Sequence, residues 1–109
     1  MNPFTDKFVI NSYDVTPDGY ASPGAILRIM QECACRHAEL LGRGHGELLT
    51  RNQMWVLSRL RMRINAFPRW GDEITVKTWP SSAERIFFYR EFIITGQSGE
   101  TLITADSAW

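Results

Sequence analysis

One long amphipathic segment, from Ser22 to Leu41, constrains the fold of this chain more than any other feature. Ser22 and Pro23 predict a helix start, because serine caps a first turn and proline suits the first helical position. Gly42 follows and is typical of a helix end. At 100° per residue, one broad and mostly apolar face is shared by Ile26, Leu27, Ile29, Met30, Cys33, Ala34, His37, Leu40 and Leu41. A stripe about 30 Å long must be covered by another layer of the protein.

Most of the remaining chain has the alternating pattern of β-strands. Strands are predicted at Phe8–Val15, Met54–Phe67, Glu73–Trp79, Arg85–Thr95 and Thr101–Trp109. Short turns such as residues 68–72 separate several of them and favour antiparallel neighbours. One helix against one antiparallel sheet of about five strands is an α+β architecture. Because the sheet must wrap the helix to hide its apolar stripe, we predict a hot-dog fold, as a single domain over residues 1–109.

Composition narrows the classes of function. The 109 residues are 44% hydrophobic and 22% charged, as in an ordinary soluble domain. No apolar run approaches the ~18 residues of a membrane span, and the amino terminus lacks a signal pattern, so we expect a cytoplasmic protein. Its 12 basic and 12 acidic residues balance, which argues against a nucleic-acid partner. Two cysteines and two histidines match no zinc spacing, so neither a metal nor another cofactor is predicted.

Characteristic motifs extend over nearly the whole chain. They are Trp55 to Arg61, Phe67 to Trp79 with its Pro-Arg-Trp-Gly-Asp turn, Gln31-Glu32 with His37, Arg90-Glu91-Phe92, and Ala105 to Trp109. Together they resemble the acyl-acyl-carrier-protein (acyl-ACP) thioesterases. The resemblance implies an enzyme of fatty-acid synthesis with two hot-dog domains in tandem, which hydrolyses fatty acyl-ACP to free fatty acid and carrier protein. This chain resembles the first domain, whose implied role is to shape the acyl tunnel and to pair with a second hot dog or, as a homodimer, with its own copy.

The catalytic residues of that family have no counterpart here. In the family, the second domain supplies an Asp-x-Asn-x-His motif, whereas the equivalent residues 16–22 of this chain contain neither Asn nor His. Thioester hydrolysis needs a base or a nucleophile, and two carboxylates are candidates. Asp18 lies in the strand-to-helix loop, where a hydrogen-bonded turn residue is the alternative. Glu32 lies mid-helix, where an ion pair with Arg28 or Arg36 is the alternative.

These candidates leave three hypotheses open. The first is the amino-terminal half of an acyl-ACP thioesterase, with weak or no activity alone. The second is a self-sufficient, homodimeric acyl-CoA thioesterase that uses Glu32 or Asp18. The third is a non-catalytic module that binds acyl chains or carrier protein.

Two further sets of residues are candidate binding groups. The acyl tunnel could be lined by Met30, His37, Met54, Val56, Leu60 and Met62, because unbranched methionine suits an adaptable alkyl pocket. The same residues would also make an ordinary core, with His37 hydrogen-bonded inside it.

The second set lies on the opposite face of the Met54–Phe67 strand and consists of Arg59, Arg61 and Arg63. Residues 28–69 hold eight arginines and three glutamates, a net charge of +5. Carrier proteins are acidic, so this strip is a candidate docking surface. The alternative is a solvated outer sheet face with cross-strand pairs to Glu91 or Glu73.

Overall fold

The computed structural model describes residues 3–41, 57–84 and 87–109. Its elements in chain order are β1 (Phe4–Val9), a 3-10 helix (Ser12–Asp14), α1 (Pro23–Leu40), β2 (Arg59–Ile64), β3 (Glu73–Glu84), β4 (Phe87–Thr95) and β5 (Thr101–Ala108). The strands form one antiparallel sheet in the order β1-β3-β4-β5-β2. Helix α1 packs on one face, called the inner face here. The α+β prediction of one helix on one antiparallel sheet is confirmed.

Helix α1 begins where the sequence predicts. The Ser22 side chain accepts a hydrogen bond from the Ala25 N–H at 3.1 Å, and Pro23 occupies the first turn. The buried stripe consists of Ala25, Ile26, Ile29, Met30, Cys33, Ala34, His37 and Ala38. Leu40, which the sequence predicts on this face, is 73% exposed, so that assignment is wrong. The small side chain of Ala38 takes up the end of the stripe instead.

The first strand is shorter than the prediction and begins earlier. It ends at Val9 rather than Val15, because a 3-10 turn follows it. The Asp14 carboxylate accepts a hydrogen bond from the Asn11 N–H at 2.8 Å, which closes that turn and prevents further pairing.

Two other strands also depart from the prediction. β3 continues past Trp79 to Glu84, and a register shift between Pro80 and Ser82 accommodates the proline. Of the strand predicted from Met54 to Phe67, the described part forms strand only over Arg59–Ile64. Met54 and Val56 lie outside the described residues.

The turn after β2 is a crossover and not a hairpin. A short connection favours antiparallel neighbours, yet β2 pairs with β5 at one edge while β3 lies beyond β4. Residues 65–72 cross the end of the sheet, where Asn65 N–H donates to the Leu102 carbonyl at 2.8 Å and Gly71 N–H donates to Ile10 at 2.8 Å. Gly71 has a φ of 91°, a left-handed conformation that glycine adopts without a side-chain clash.

The core lies between α1 and the inner face of the sheet. It is formed by Ile26, Met30 and Cys33 of the helix with Ile74, Val76, Phe92, Ile94, Ile103 and Ala105 of the sheet. Side chains alternate across a strand, so the buried Phe92 and Ile94 place Arg90 on the same inner face. Thr78 of β3 is also turned inward. Arg90 and Thr78 therefore place polar groups in the otherwise apolar layer between α1 and the sheet.

Candidate functional site

Three polar side chains meet between α1 and the sheet, and they are His37, Thr78 and Arg90. His37 is 4% exposed and Thr78 is fully buried. The Arg90 Nη1 lies 2.9 Å from His37 Nδ1 and donates to Thr78 Oγ1 at 3.2 Å. Thr78 Oγ1 in turn donates to the Glu91 carbonyl at 2.9 Å. A helix and two neighbouring strands therefore hold one connected polar cluster.

The geometry of the cluster fixes the protonation state of His37. A guanidinium has only donors, so His37 Nδ1 must accept the hydrogen bond and the ring proton must lie on Nε2. Burial, and next the positive charge of Arg90, lower the pKa of His37 from its ordinary value of 6.5. Phe4 stacks on the ring with centroids 5.3 Å apart. His37 is thus a neutral, hydrogen-bonded core residue at neutral pH.

Arg90 is a half-buried cation whose main chain is firmly held. Ser107 Oγ donates to the Arg90 carbonyl at 2.9 Å, and Trp109 Nε1 donates to Ser107 Oγ at 2.9 Å. Burial lowers the pKa of Arg90. Across the described ranges, the ion pairs formed by aspartates and glutamates engage other basic residues and not Arg90. The positive charge is therefore met by neutral acceptors alone in this part of the chain.

A cavity of about 70 Å³ borders the cluster. Its walls are Ala34, Cys35, Ala38, Leu41, Pro80, Phe88, Tyr89, Arg90 and Trp109. Arg90 is the one charged residue among these walls. The space is roughly half that of a cavity that holds benzene (about 150 Å³). The arrangement can therefore receive a short apolar group or the end of a longer chain, with a cation at one wall.

Of the residues predicted to line an acyl tunnel, Met54 and Val56 lie outside the described residues, and the other four do not border this cavity. Met30 is 1% exposed and belongs to the core, and Leu60 and Met62 are partly buried against it. His37 contacts Arg90 but does not border the cavity. Their role in substrate binding stays a prediction.

Arg90 is a site residue that the sequence motifs alone do not single out, because it occurs there only within Arg90-Glu91-Phe92. The signal was present in the alternation of β4, where Arg90 precedes Phe92 by two positions and Ile94 by four. Period-two spacing puts all three on one face. An arginine in that row indicates a buried cation, whereas a surface arginine would fall one position away.

The two candidate catalytic carboxylates both have structural partners. Asp18 accepts hydrogen bonds from the Thr16 hydroxyl and, at 3.3 Å, from the Tyr20 N–H, and these bonds lower the pKa of Asp18. Glu32 lies on the exposed face of α1 and pairs with Arg36 at 2.9 Å. Neither carboxylate borders the cavity. These contacts match the turn residue and the ion pair that the sequence offered as alternatives.

The cysteines do not form a reactive pair. Both are free, with Cys33 buried and Cys35 exposed. Burial, and next the negative charge of Asp6, raise the pKa of Cys33 to about 12, and burial also raises that of Cys35. Among the described residues, no group of histidine, cysteine and acidic side chains is placed to hold a metal, and no helix is long and apolar enough to cross a membrane.

The arginine strip, Arg59, Arg61 and Arg63, lies on the outer face of β2, away from α1. Arg61 pairs with Asp106 of β5 at 3.0 Å, and its side chain is 83% exposed. The sequence predicts cross-strand pairs from this strip to Glu91 or Glu73, and that prediction is wrong. The neighbour of β2 is β5, whereas Glu91 and Glu73 lie on β4 and β3. The strip is a solvated surface on which an exposed ion pair contributes little stability.

Comparison with protein families and curated proteins gives one consistent family. The model of the acyl-ACP thioesterase N-terminal domain matches residues 1–109. A chloroplastic palmitoyl-acyl carrier protein thioesterase of Gossypium hirsutum is 34% identical over 97% of this chain and 27% of its own length. A chloroplastic oleoyl-acyl carrier protein thioesterase of Arabidopsis thaliana is 32% identical over 97% of this chain and 31% of its own length. The chain thus spans about a third or less of these relatives.

Solved structures of thioesterases also resemble this chain in their fold. An acyl-ACP thioesterase from Bacteroides thetaiotaomicron superposes with a TM-score of 0.91 at 30% identity, over 98% of this chain and 44% of that one. The 12:0-ACP thioesterase from Umbellularia californica gives a TM-score of 0.83 at 31% identity, over 97% of this chain and 44% of that one. A DHNA-CoA thioesterase from Staphylococcus aureus, at 14% identity and a TM-score of 0.91, covers 99% of this chain and 72% of that one and shares the fold alone. The hot-dog prediction is confirmed.

Proposed function

Because this chain belongs to the acyl-ACP thioesterase family and matches its N-terminal domain, we propose that it is the acyl-binding part of a fatty acyl-ACP hydrolase. The proposed reaction cleaves the thioester between a fatty acyl chain and carrier protein, releasing free fatty acid and carrier protein in fatty-acid synthesis. The whole-chain family match is the observation that carries the proposal. The apolar cavity on the inner face supports the part assigned to this domain.

The site favours holding an acyl chain rather than cleaving its thioester. Alanines 34 and 38 open space beside α1, and alkyl groups buried there gain about 0.8 kcal/mol per methylene. The described groups near this space make poor bases or nucleophiles. His37 Nδ1 is occupied by Arg90, and the Cys35 thiol has a raised pKa. We therefore assign the chemical step to residues outside the described part of this chain.

One assay separates this proposal from a self-sufficient acyl-CoA thioesterase. The purified chain is incubated with dodecanoyl-ACP and with dodecanoyl-CoA, and both binding and thioester turnover are followed. We expect binding without appreciable turnover, because Asp18 and Glu32 are engaged on the surface. Robust turnover that falls in Glu32→Ala or Asp18→Ala would overturn the assignment. Glu39→Ala, an exposed glutamate on the same helix, is the matched control.

We further propose that the arginine strip docks the carrier protein. Arg59 and Arg63 are exposed, and in the described structure no carboxylate forms an ion pair with them. Steering by such a patch weakens as salt screens it. The double charge reversal Arg59→Glu/Arg63→Glu should weaken binding of the carrier protein about tenfold at low salt, with little difference in high salt. The matched control is Arg28→Glu, on the exposed face of α1. If both variants weaken binding of the carrier protein equally, the arginine strip is not its docking surface.

Pairing with a second hot-dog domain, or with a second copy of this chain, is also proposed. β1 and β2 lie at the two edges of the sheet in the described structure, and open edges favour strand pairing. Light scattering on the purified chain should show a dimer, and a monomer at high protein concentration would contradict self-pairing. The cytoplasmic location stays a prediction.

A further inference from the structure

The guanidinium of Arg90 uses one of its nitrogens and leaves two without an acceptor in the described protein. Both of its hydrogen bonds, to His37 and to Thr78, come from Nη1. Nη2 and Nε carry three of the five N–H donors of an arginine. The side chain borders the 70 Å³ cavity, and no aspartate or glutamate of the described ranges pairs with it. Within the described ranges, this half-buried cation has no carboxylate as a counter-charge.

The remaining walls decide what kind of anion fits. Leu41, Phe88 and Trp109 are among the largely apolar residues around the cavity. The indole N–H of Trp109 is already bonded to Ser107. A phosphate carries more negative charge and more acceptor oxygens than one guanidinium can satisfy, whereas a single carboxylate is matched in charge and bound by two parallel hydrogen bonds. The complementary ligand is therefore an amphiphile with a single carboxylate head and an apolar tail.

Size and exposure indicate how such a ligand would lie. About 70 Å³ accommodates a carboxylate and its first carbons but not a long chain. Phe88, which borders the cavity, is 38% exposed, so a longer tail would leave past it. The head would then face Arg90 and the tail would face outward.

We propose that this cavity, the Arg90 pocket, binds a free fatty acid through its carboxylate on the Arg90 guanidinium. The proposal goes beyond thioester hydrolysis, because a thioester carries no charge at its carbonyl and would not satisfy the cation. It also does not depend on turnover, since it concerns equilibrium binding of the free acid by this chain.

The test compares two ligands with the same twelve-carbon acyl chain. Dodecanoate and methyl dodecanoate, each below its aggregation concentration, are titrated into the chain at pH 7.5 and followed by tryptophan fluorescence. A hydrogen-bonded charge predicts that dodecanoate binds at least about tenfold more tightly than the ester. A ratio near one in the wild-type chain would overturn the proposal without any variant.

Two substitutions at Arg90 assign the preference to the guanidinium. Arg90→Met keeps much of the side-chain volume and should reduce the carboxylate-to-ester ratio to near one. Arg90→Lys keeps the positive charge and should retain most of the preference for the carboxylate. Arg28→Met, an exposed arginine on the solvent face of α1, is the matched control and should leave the ratio unchanged. Equal weakening of both ligands in Arg90→Met would show a purely structural role and would overturn the proposal.

Failure of this binding test and failure of the hydrolase proposal are distinguishable. A dodecanoate-to-ester ratio near one would refute the Arg90 pocket, while the binding and turnover assay with dodecanoyl-ACP would still decide the hydrolase proposal separately. Conversely, an inactive protein that prefers dodecanoate over its ester supports the Arg90 pocket on its own.

Discussion

Protonation of His37 is predicted to destabilise the folded chain. Its Nδ1 accepts a hydrogen bond from Arg90 at 2.9 Å, so a proton on that nitrogen would break the bond and bring two cations together. Burial and Arg90 accordingly lower the pKa of His37. In the unfolded chain the pKa returns to about 6.5. As the pH falls, the unfolded state therefore binds a proton first and is favoured.

The sign and size of the effect follow from proton linkage. The stabilisation is fully present above pH 6.5 and is lost as the pH falls below that value, until the pH passes the lowered pKa of folded His37. One proton corresponds to at most about 1.4 kcal/mol per pH unit. Because His37 is only 4% exposed, screening by solvent reduces this free-energy change only slightly. We expect the free energy of unfolding to fall by up to about 1.4 kcal/mol between pH 7.5 and 5.5.

Urea unfolding at a series of pH values measures the effect directly. His37→Gln offers an amide oxygen to Arg90 without a titrating ring, so its stability should lose the decline between pH 7.5 and 5.5. His45→Gln removes the other histidine and is the matched control, which measures how much of the decline belongs to that residue. Asp6 and Asp18 do not contribute to this decline, because their pKa values are lowered in the folded chain from an ordinary value of 3.8 and both groups stay ionised above pH 5.5. Parallel curves for the wild-type chain and His37→Gln would refute the reasoning.

Three further predictions concern packing, capping and thiol reactivity. Phe92→Ala should cost about 3–5 kcal/mol of unfolding free energy because the side chain is fully buried, whereas Ile93→Ala on the outer face should cost far less in the same urea titration. Ser22→Ala should cost about 1 kcal/mol through loss of the helix cap, measured by thermal unfolding. Iodoacetamide at pH 8 should modify the exposed Cys35 and should spare the buried Cys33 until denaturant is added. The mass of the intact chain reports the number of modified thiols, and two rapid modifications in the folded chain would contradict this prediction.

Local features of the fold could be read from the sequence because neighbouring residues determine them. The start of α1 depends on Ser22 and Pro23 within one turn. The inner row of β4 follows from strand alternation around Phe92. In contrast, the pairing of β2 with β5 depends on the order of all the strands in the sheet. The short turn between β2 and β3 predicts that these two strands are neighbours, and they are not.

The candidate site was less predictable for a related reason. Its central contact joins His37 of α1 to Arg90 of β4, 53 residues apart. The residue patterns place His37 on the inner face of α1 and Arg90 on the inner row of β4, but they do not show that the two side chains meet. Asp14 is a different case, because it closes a 3-10 turn with Asn11, three residues away, where alternation alone predicts strand. The contact between His37 and Arg90 joins distant elements, and no residue pattern specifies it.

We propose that the space between α1 and the sheet receives the end of the fatty acyl chain. A carrier protein bearing a non-hydrolysable dodecanoyl analogue, with a photoreactive diazirine at the chain end, tests it most directly. After irradiation and digestion, we expect label on the cavity walls, at residues 34–41 or 88–90. Label confined to outer-face residues such as Thr104 and Asp106 would contradict it.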